Sequence, residues 1–228
     1  MTTAKKITVL LAEDHAIVRQ GLCALLTADG SFDLVGEART GREAVELART
    51  LRPAVILMDI AMPVLNGLEA TKQILAANAA ARILILSAHS DDEYIERMST
   101  AGVAGFLEKQ TSAEVLTKAI REVAKGNQYF SPSIAKRLAV AASKPRDREG
   151  LIKANGKRLT ARESEVLQMV AEGSANKQIA AELGISIKTV EKHRQHLMDK
   201  LDIHDTAGLT RYAISAGFIE SVVQVTIV

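Results

Sequence analysis

Polar residues follow four of the short apolar runs in this sequence, and their side chains are those that phosphoryl transfer needs. The residues at or just beyond these run ends are Glu13, Asp14, Asp59, Ser87 and Lys109. Three carboxylates held together repel one another unless a cation binds between them, and an oxygen-rich site of this kind suits Mg²⁺. With a metal ion, a hydroxyl and a lysine beside it, a carboxylate can accept a phosphoryl group, because the cations neutralise the transferred oxygens.

Each of these residues also has an ordinary structural explanation when it is considered alone. Acids after strands often cap the following helix, as Asp14 could do for a helix that starts near Ala16. Lys109 alone would be a solvated surface charge, and His15 is better explained as a helix-start residue than as a phosphohistidine. Polar residues at several strand ends are harder to obtain by chance, so we interpret them as one shared site.

The elements that must position these residues are short buried strands that alternate with helices. The strand patterns cover residues 7–12, 32–36, 55–58, 83–86 and 105–107, and the helix patterns lie near 16–28, 42–51, 67–77, 92–100 and 112–125. Continuous apolar runs are typical of strands buried on both faces. Five strand–helix repeats predict a five-stranded parallel sheet with helices on both sides. Ligands of such sheets bind beyond the carboxyl ends of the strands, where the polar residues lie.

The second half of the chain has a different pattern and a different charge. Residues 1–125 carry a net charge of −2 and residues 126–228 one of +4, which permits a nucleic-acid partner for the second half. The strand–helix alternation stops after residue 126, a helix is expected over 133–143, and the charged run 144–150 indicates a linker. The last residues, 222–228, are unusually apolar and either dock on a neighbour or pair as a strand.

The segment after the linker contains the capping and turn signals of four short helices. The signals are a capping box at Thr160 and Glu163, a second start at Ser174 or Ala175, a turn over 183–186, a third helix from Ser186 to about Leu201 and a fourth over 206–216. A turn of three or four residues between the second and third helices is typical of a helix-turn-helix.

The third of these helices has one apolar and one polar face. The apolar stripe consists of Val190, His193, Leu197 and Leu201, and the opposite face of Lys188, Glu191, Lys192, Gln195 and Asp199. We expect Glu191, Lys192 and Gln195 to reach base edges in a major groove, with Lys188, Thr189 and Lys192 within reach of phosphates. The alternative is an ordinary solvated face, but the basic charge of this half and the capped turn before the helix favour DNA.

The first 125 or so residues resemble a response-regulator receiver domain. The resemblance rests on the acidic pair Glu13 and Asp14, on Asp59 within residues 58–63, and on Gly67, Ser87, Phe106 and Lys109. It implies that Asp59 is the phosphoryl acceptor and that Mg²⁺ binds Glu13, Asp14, Asp59 and the backbone carbonyl of Ala61. It also implies that Ser87, Phe106 and Lys109 form a phosphate switch. Gln110 stands where many receivers have a proline after a cis bond.

Residues from about 158 to 220 resemble the LuxR-type helix-turn-helix. The match runs through 159–167, Gly173, 176–180, 183–186, Thr189, Val190, His193 and 200–201. It implies that His193 is a core residue rather than a base reader. Asn176, Lys177 and Thr189 are then candidates for phosphate contacts near helix starts, where backbone N–H groups favour anions.

Together the two segments resemble the NarL/FixJ class of two-component transcription regulators. The resemblance implies a flavodoxin-like receiver over residues 1–126, a partly helical linker over 127–157, a four-helix DNA-binding domain over 158–221 and an apolar tail over 222–228. It implies a sensor histidine kinase and double-stranded promoter DNA as partners, and a homodimer when the protein is phosphorylated or on DNA. On phosphorylation, Ser87 and Lys109 are expected to move onto the phosphate oxygens and Phe106 to turn inward.

Two other functions compete with this interpretation. A DNA-binding protein whose receiver only dimerises would need no phosphorylation, and the complete set of site residues argues against it. A metal-dependent phosphohydrolase is disfavoured because no second catalytic acid is evident, so we expect a regulator and not an enzyme. Cys23 is the only cysteine, no run of 18 apolar residues occurs and no signal peptide is recognisable, which favours a cytoplasmic protein without a membrane segment.

Overall fold

The computed structural model describes residues 6–88, 92–143 and 159–219. The chain divides into two compact units, Met1–Pro145 and Arg146–Val228. The expected apolar tail and the charged run 144–150 lie outside the described residues. None of the helices in the described ranges combines the length and the apolar character that crossing a bilayer requires.

The first unit is built on a parallel sheet with the strand order β2-β1-β3-β4-β5-β6. The strands are β1 (Ile7–Ala12), β2 (Phe32–Ala38), β3 (Val55–Met58), β4 (Ile83–Ser87), β5 (Gly105–Glu108) and β6 (Tyr129–Phe130). All neighbours in the sheet pair in parallel. This order places β1 beside β3 at the point where the chain reverses direction across the sheet, which is where doubly wound folds bind their ligands. The predicted parallel sheet is therefore confirmed.

The sixth strand differs from the prediction of five strands. Tyr129 and Phe130 pair with Gly105 and Phe106, within the segment where the sequence pattern stops. The chain reaches this edge through a left-handed turn at Gly126, which has a φ of 95°. Two residues are too few to show the periodicity of a strand, so this addition to the sheet left no pattern to detect.

The helices of the first unit begin close to their predicted positions. They are α1 (Ala16–Ala28), α2 (Gly41–Leu51), α3 (Gly67–Ala77), α4 (Asp92–Ala101), α5 (Ala113–Lys125) and α6 (Pro132–Ser143). The N-cap side chains of α2, α3 and α5 are Thr40, Asn66 and Ser112, and each accepts a hydrogen bond from a backbone N–H three residues on. These caps satisfy N–H groups that have no partner within the helix, and so fix where each loop ends.

The core of this unit lies on both faces of the sheet. Leu10 and Ala12 pack into one apolar cluster, whereas Val9 and Leu11 pack into the other. All residues of β3 and β4 are buried, which is why these strands are continuous apolar runs in the sequence. Because close packing on both faces leaves the strands little freedom, the residues that follow them emerge at defined places.

Residues 159–219 of the second unit form the four predicted helices. These are α7 (Ala161–Ala171), α8 (Asn176–Leu183), α9 (Ile187–Leu201) and α10 (Thr206–Ser215). The capping box of Thr160 and Glu163 is present at the start of α7. Gly184 ends α8 with a φ of 62°, and the Ser186 side chain caps α9. The short turn between α8 and α9 confirms the helix-turn-helix.

Candidate functional site

The ends of β1 and β3 bring the predicted acidic residues together. Ala12 pairs with Met58 in the sheet, and the Asp59 N–H donates to the Ala12 carbonyl oxygen at 2.9 Å. As a result, one ligand atom from each of Glu13, Asp14, His15 and Asp59 lies within 4.8 Å of all the others. Glu13 is 1% exposed and Asp59 3% exposed, so two of the three carboxylates are withdrawn from water. We call these four residues the acidic cluster.

Lys109 supplies a positive charge inside the acidic cluster. Its Nζ lies 2.8 Å from Glu13 Oε2 and 2.8 Å from Asp59 Oδ2. Its backbone N–H donates to the Ser87 carbonyl oxygen at 2.7 Å, so the ends of β4 and β5 are joined next to the carboxylates. Ser87 is itself buried at the end of β4. The structure therefore brings the predicted lysine and hydroxyl residues to the same edge of the sheet as the acids.

Burial and charge determine the protonation states in the cluster. Burial raises the pKa of Asp59 to about 6. The hydrogen bond and charge of Lys109 limit this increase, whereas the charge of Glu13 adds to it. Burial alone would lower the pKa of Lys109, but its hydrogen bonds to Asp59 and Glu13 outweigh this effect and raise that pKa. At neutral pH Asp59 is therefore a carboxylate and Lys109 an ammonium ion. Asp59 is in the state that a nucleophile requires.

The acidic cluster has the chemistry of a site for a hard divalent cation. Its donors are carboxylate oxygens of three acids, together with the exposed imidazole of His15. One lysine cannot balance three carboxylates, so the cluster retains excess negative charge. Oxygen-rich sites of this kind hold Mg²⁺ or a similar ion. Ala61 lies two residues beyond Asp59, and the role of its carbonyl as a further ligand stays a prediction.

Asp14 does not cap α1, which excludes the ordinary explanation of this acid. His15 occupies the N-cap position of α1, and no side chain caps that helix. The Asp14 carboxylate instead lies 2.9 Å from the His15 Nδ1. The N-cap position of His15 confirms that this residue lies at the start of a helix. Its backbone N–H donates to Glu13 Oε1 at 3.1 Å.

The loop from Asp59 to α3 is closed tightly onto the acceptor residue. Val64 has a φ of 69°, and the Leu65 N–H donates to the Pro63 carbonyl oxygen at 2.8 Å. Residues 63–65 therefore form the rare and strained type of γ-turn. The Gly67 N–H donates to the Ile60 carbonyl oxygen at 2.8 Å. A Cβ on Gly67 would lie 2.0 Å from the Asp59 carbonyl oxygen, so only glycine fits at this position. The resemblance to a receiver domain included Gly67, and this close contact explains why a glycine is needed at that position.

Two details of the structure concern the predicted phosphate switch. Phe106 is 1% exposed and packs in the apolar cluster with Leu10 and Ala12. The ring points inward in this structure, and its response to phosphorylation stays a prediction. The Lys109–Gln110 peptide bond is trans, since no cis bond occurs among the described residues.

The polar face of α9 is exposed as its sequence pattern predicts. Val190 and Leu197 are buried, and His193 is half-buried on the same side. Burial lowers the pKa of His193, and the nearby charge of Arg162 lowers it further, so its imidazole is neutral at pH 7. On the opposite side the side chains exposed to solvent are Lys188, Glu191, Lys192 and Gln195. Gln195 donates through Nε2 to Asp199 Oδ1 at 2.8 Å.

The predicted phosphate-contacting residues have different surroundings. Lys177 is exposed at the start of α8. Thr189 hydrogen-bonds to Ser186 within the N-cap of α9. Asn176 accepts through Oδ1 from Arg194 Nη1 at 2.9 Å, and its predicted phosphate contact would have to use the Nδ2 side of the amide. Arg194 also donates to Thr206 Oγ1 at 3.2 Å. This arginine joins α8, α9 and α10, a role that sequence reasoning missed because its partners are distant in the chain.

The capping box of α7 gives a testable contribution to stability. Lys200 Nζ lies 2.6 Å from Glu163 Oε2, and Thr160 donates its backbone N–H to the same oxygen at 2.8 Å. Burial alone would raise the pKa of Glu163, but the hydrogen bonds from Lys200 and Thr160 outweigh it and lower that pKa.

We expect Glu163→Gln to lower the free energy of unfolding of this unit by about 1 kcal/mol at pH 7, because glutamine keeps the cap but loses the ion pair. A lowered folded-state pKa stabilises the protein above the ordinary value of 4.5 and loses that effect as the pH falls. Chemical unfolding of both proteins from pH 7 to pH 3 should show the difference shrinking. A constant difference would contradict the ion-pair explanation.

Comparisons with known proteins agree with both units. A model of the response regulator receiver domain matches residues 9–121, and a model of bacterial regulatory proteins of the luxR family matches residues 157–213. The transcriptional regulatory protein MctR of Rhizobium johnstonii is 37% identical over 222 residues, which cover 97% of this chain and 100% of MctR.

Two solved structures of RcsB are also similar to this chain. RcsB from Salmonella enterica serovar Typhimurium, bound to the promoter rprA in the presence of the phosphomimetic BeF₃⁻, is 25% identical with a TM-score of 0.53, and the alignment covers 91% of this chain and 98% of RcsB. A structure of two RcsB dimers bound to two parallel DNAs is 26% identical with a TM-score of 0.56, over 92% of this chain and 99% of RcsB.

Proposed function

Because this chain belongs to the NarL/FixJ class of response regulators, which join a receiver domain to a LuxR-type DNA-binding domain, we propose that phosphoryl transfer to Asp59 controls its binding to promoter DNA. The observation that carries this proposal is the buried Asp59 carboxylate, held 2.8 Å from the Lys109 ammonium and next to two further acids. The phosphoryl donor is a sensor histidine kinase. The domain limits 1–126, 127–157, 158–221 and 222–228 and a location in the cytoplasm, where promoter DNA lies, belong to the same proposal.

Asp59 is the nucleophile of the transfer. A carboxylate oxygen of Asp59 attacks the phosphorus of a phosphohistidine, an O–P bond forms, the N–P bond breaks, and the imidazole leaves. Glu13, Asp14, Asp59 and the Ala61 carbonyl would hold Mg²⁺, and the bound ion would supply positive charge to the phosphoryl oxygens. No small substrate is turned over, and we expect no hydrolysis of simple phosphate esters by this protein.

Lys109 and Ser87 couple the modification to the fold. In the free protein Lys109 pairs with the Asp59 carboxylate, a contact that must change when the carboxylate becomes an acyl phosphate. The ammonium then pairs with a phosphoryl oxygen and the Ser87 hydroxyl donates to another. Because Lys109 and Ser87 are joined through their backbones, both strand ends respond together. The altered surface shifts a two-state equilibrium that frees or dimerises the DNA-binding unit.

The exposed face of α9 reads the DNA in this proposal. Glu191, Lys192 and Gln195 project into the major groove, where a lysine suits guanine, a glutamine adenine and a glutamate cytosine. The phosphate contacts come from Asn176, Lys177, Lys188 and Thr189. The neutral His193 stays on the inner side of the helix.

Substitutions on α8 and α9 should separate base recognition from phosphate binding. We expect Lys192→Ala or Gln195→Ala to relax the preference at one base pair per half-site, at a cost of about 1–3 kcal/mol. Lys177→Ala or Lys188→Ala should weaken binding to all DNA sequences alike and make the affinity for DNA less dependent on salt concentration. Selection from random DNA measures both effects. Unchanged base preferences in the Lys192 and Gln195 variants would show that another face of α9 reads the bases.

Dimerisation is a second expected consequence of phosphorylation or DNA binding. A single small helix-turn-helix buries little DNA surface, so two copies are the usual way to gain affinity. The RcsB dimers bound to DNA support this expectation. Sedimentation velocity of the protein with acetyl phosphate and selected DNA should show two copies per duplex. One copy per duplex under these conditions would contradict it.

Labelling with radioactive acetyl phosphate tests the proposed chemistry directly. We expect one phosphoryl group per chain in the presence of Mg²⁺ and none with excess chelator. The label should be lost in alkali and with hydroxylamine, as an acyl phosphate is. Labelling that persists without a divalent cation, or on a serine or histidine, would contradict the proposal.

A further inference from the structure

Arg19 of α1 is a buried cation that the proposed reaction does not use. It is 8% exposed, although it lies on a surface helix. Its Nη1 donates to the Glu13 carbonyl oxygen at 2.9 Å and to the Asp14 carbonyl oxygen at 3.0 Å. Its Nε lies 3.4 Å from Glu37 Oε2 on β2. The guanidinium therefore contacts the backbone of Glu13 and Asp14, two of the three acids in the acidic cluster, but not their carboxylates.

The cost of burying a guanidinium requires an explanation. A buried charge is unfavourable unless it is paired and hydrogen-bonded. Stabilising α1 against the sheet would need no charge at all, because an apolar side chain would pack in the same place. The contacts of Arg19 instead converge on two consecutive carbonyl groups, both bonded by Nη1, while Nε faces Glu37. A lysine has only one nitrogen and cannot contact the carbonyl pair and Glu37 with separate nitrogens.

These contacts hold the backbone of the acidic pair from several sides. The Glu13 N–H donates to the Ala38 carbonyl oxygen at 3.0 Å, and Arg19 donates hydrogen bonds to the Glu13 and Asp14 carbonyl oxygens. The carbonyl groups are thus turned toward Arg19 of α1, and the Glu13 N–H toward β2. The carboxylates of the same residues meet Asp59, even though like charges at this distance repel one another.

We propose that Arg19, oriented by Glu37, is the positioning residue of the metal site. It fixes the backbone of Glu13 and Asp14, so that their carboxylates converge with Asp59 before a cation binds. This inference rests on the proposed function, since it assigns Arg19 to the metal site that the function requires. Residues that orient metal ligands typically change metal affinity 10- to 100-fold when they are replaced.

The sign of the effect distinguishes positioning from simple electrostatics. A guanidinium near a cation site repels the cation, so charge alone predicts tighter metal binding when Arg19 is neutralised. Positioning predicts weaker binding, because the unrestrained carboxylates move apart. Arg19→Gln therefore gives opposite results under the two explanations. Arg19→Lys keeps the charge but loses the second nitrogen, by which Glu37 orients the side chain, and positioning predicts that it also binds the metal more weakly.

The test is titration of the full-length protein with Mn²⁺, with free Mn²⁺ measured by its electron paramagnetic resonance signal. We expect the dissociation constant to rise about 10-fold or more in Arg19→Gln and Arg19→Lys. Glu37→Gln, whose side chain is half-exposed, should fold normally and shift the constant in the same direction by a smaller factor. Arg121→Gln is the matched control, because it removes an arginine that pairs with Asp29 and not with the cluster.

Labelling of Asp59 separates failure of this inference from failure of the proposed function. With saturating Mg²⁺, the Arg19 variants should reach the wild-type labelling rate, whereas the Mg²⁺ concentration for half-maximal rate should rise. Unchanged or tighter Mn²⁺ binding in Arg19→Gln and Glu37→Gln, with normal wild-type labelling, would overturn the positioning role alone. A wild-type protein that neither binds Mn²⁺ nor labels would overturn the proposed function, and the positioning role with it.

Discussion

Asp59→Asn should reduce phosphoryl incorporation from acetyl phosphate to background, a loss of at least about 1000-fold. The reason is that an amide oxygen is a poor nucleophile, and the other acids near the site are placed differently. Glu13 is buried against Lys109, and Asp14 lies against His15. Incorporation of labelled phosphate, measured per chain, gives the result directly.

The matched control for this substitution is Asp33→Asn. Asp33 is exposed on β2 and lies outside the acidic cluster, so the same change of charge should leave labelling unaltered. Binding of beryllofluoride provides a second readout that needs no turnover. Equal phosphoryl incorporation in the Asp59→Asn protein and the Asp33→Asn control would contradict this assignment and show that another residue is the acceptor.

Gly67→Ala should both destabilise the first unit and impair labelling. Its new Cβ would lie 2.0 Å from the Asp59 carbonyl oxygen and 3.0 Å from Ile60 Cα, so the backbone at Asp59 has to shift. We expect the free energy of unfolding to fall by about 2–3 kcal/mol, as overpacking of close contacts typically costs. Since Asp59 moves with its backbone, the labelling rate should fall by about 10-fold or more.

Gly21→Ala is the control for this substitution, because nothing lies within 4 Å of a Cβ at Gly21. Gly21 is exposed within α1, where alanine favours the helix by roughly 0.5–1 kcal/mol. Unfolding and labelling are measured on both variants. Equal stability and equal labelling of the two alanine variants would show that the loop from Asp59 to α3 accommodates the added Cβ without loss of stability, and would contradict this prediction.

The strands and caps of this fold could be predicted because their signals are local. β1 and β3 have the predicted bounds, since their residues are apolar on both faces and charged residues follow them at once. The capping box of α7 needs only four consecutive residues. The short β6 was missed because pairing with β5, rather than its own sequence, makes it a strand.

The composition of the acidic cluster was predictable, whereas its geometry was not. Parallel strands must deliver Glu13, Asp59 and Lys109 to one edge of the sheet, which the alternation of elements indicates. The bridging of two acids by Lys109, the strained turn at Val64 and the contacts of Arg19 depend on side-chain directions and on distant partners. A sequence pattern contains no information on these, and Phe106 shows the same limit because its burial depends on neighbours from several elements.

In the DNA-binding unit, too, the exposed face was predictable and the contacts between distant residues were not. Periodicity was sufficient to place Glu191, Lys192 and Gln195 on the exposed face of α9. It did not show that Arg194 holds Asn176 and Thr206, which ties the start of α8 to the start of α10. The side chain of Asn176 is consequently oriented, since its side-chain oxygen is already bonded to Arg194.

The affinity of the protein for its own selected DNA, measured with and without acetyl phosphate, tests the central claim most directly. In the presence of Mg²⁺, phosphorylation of the wild-type protein should tighten binding by about 5- to 150-fold, the range of typical coupling between two sites. The Asp59→Asn protein should bind with the weaker affinity under both conditions. Equal affinities of the wild-type protein with and without a confirmed phosphoryl group would contradict the account, and would identify a DNA-binding protein that phosphorylation does not control.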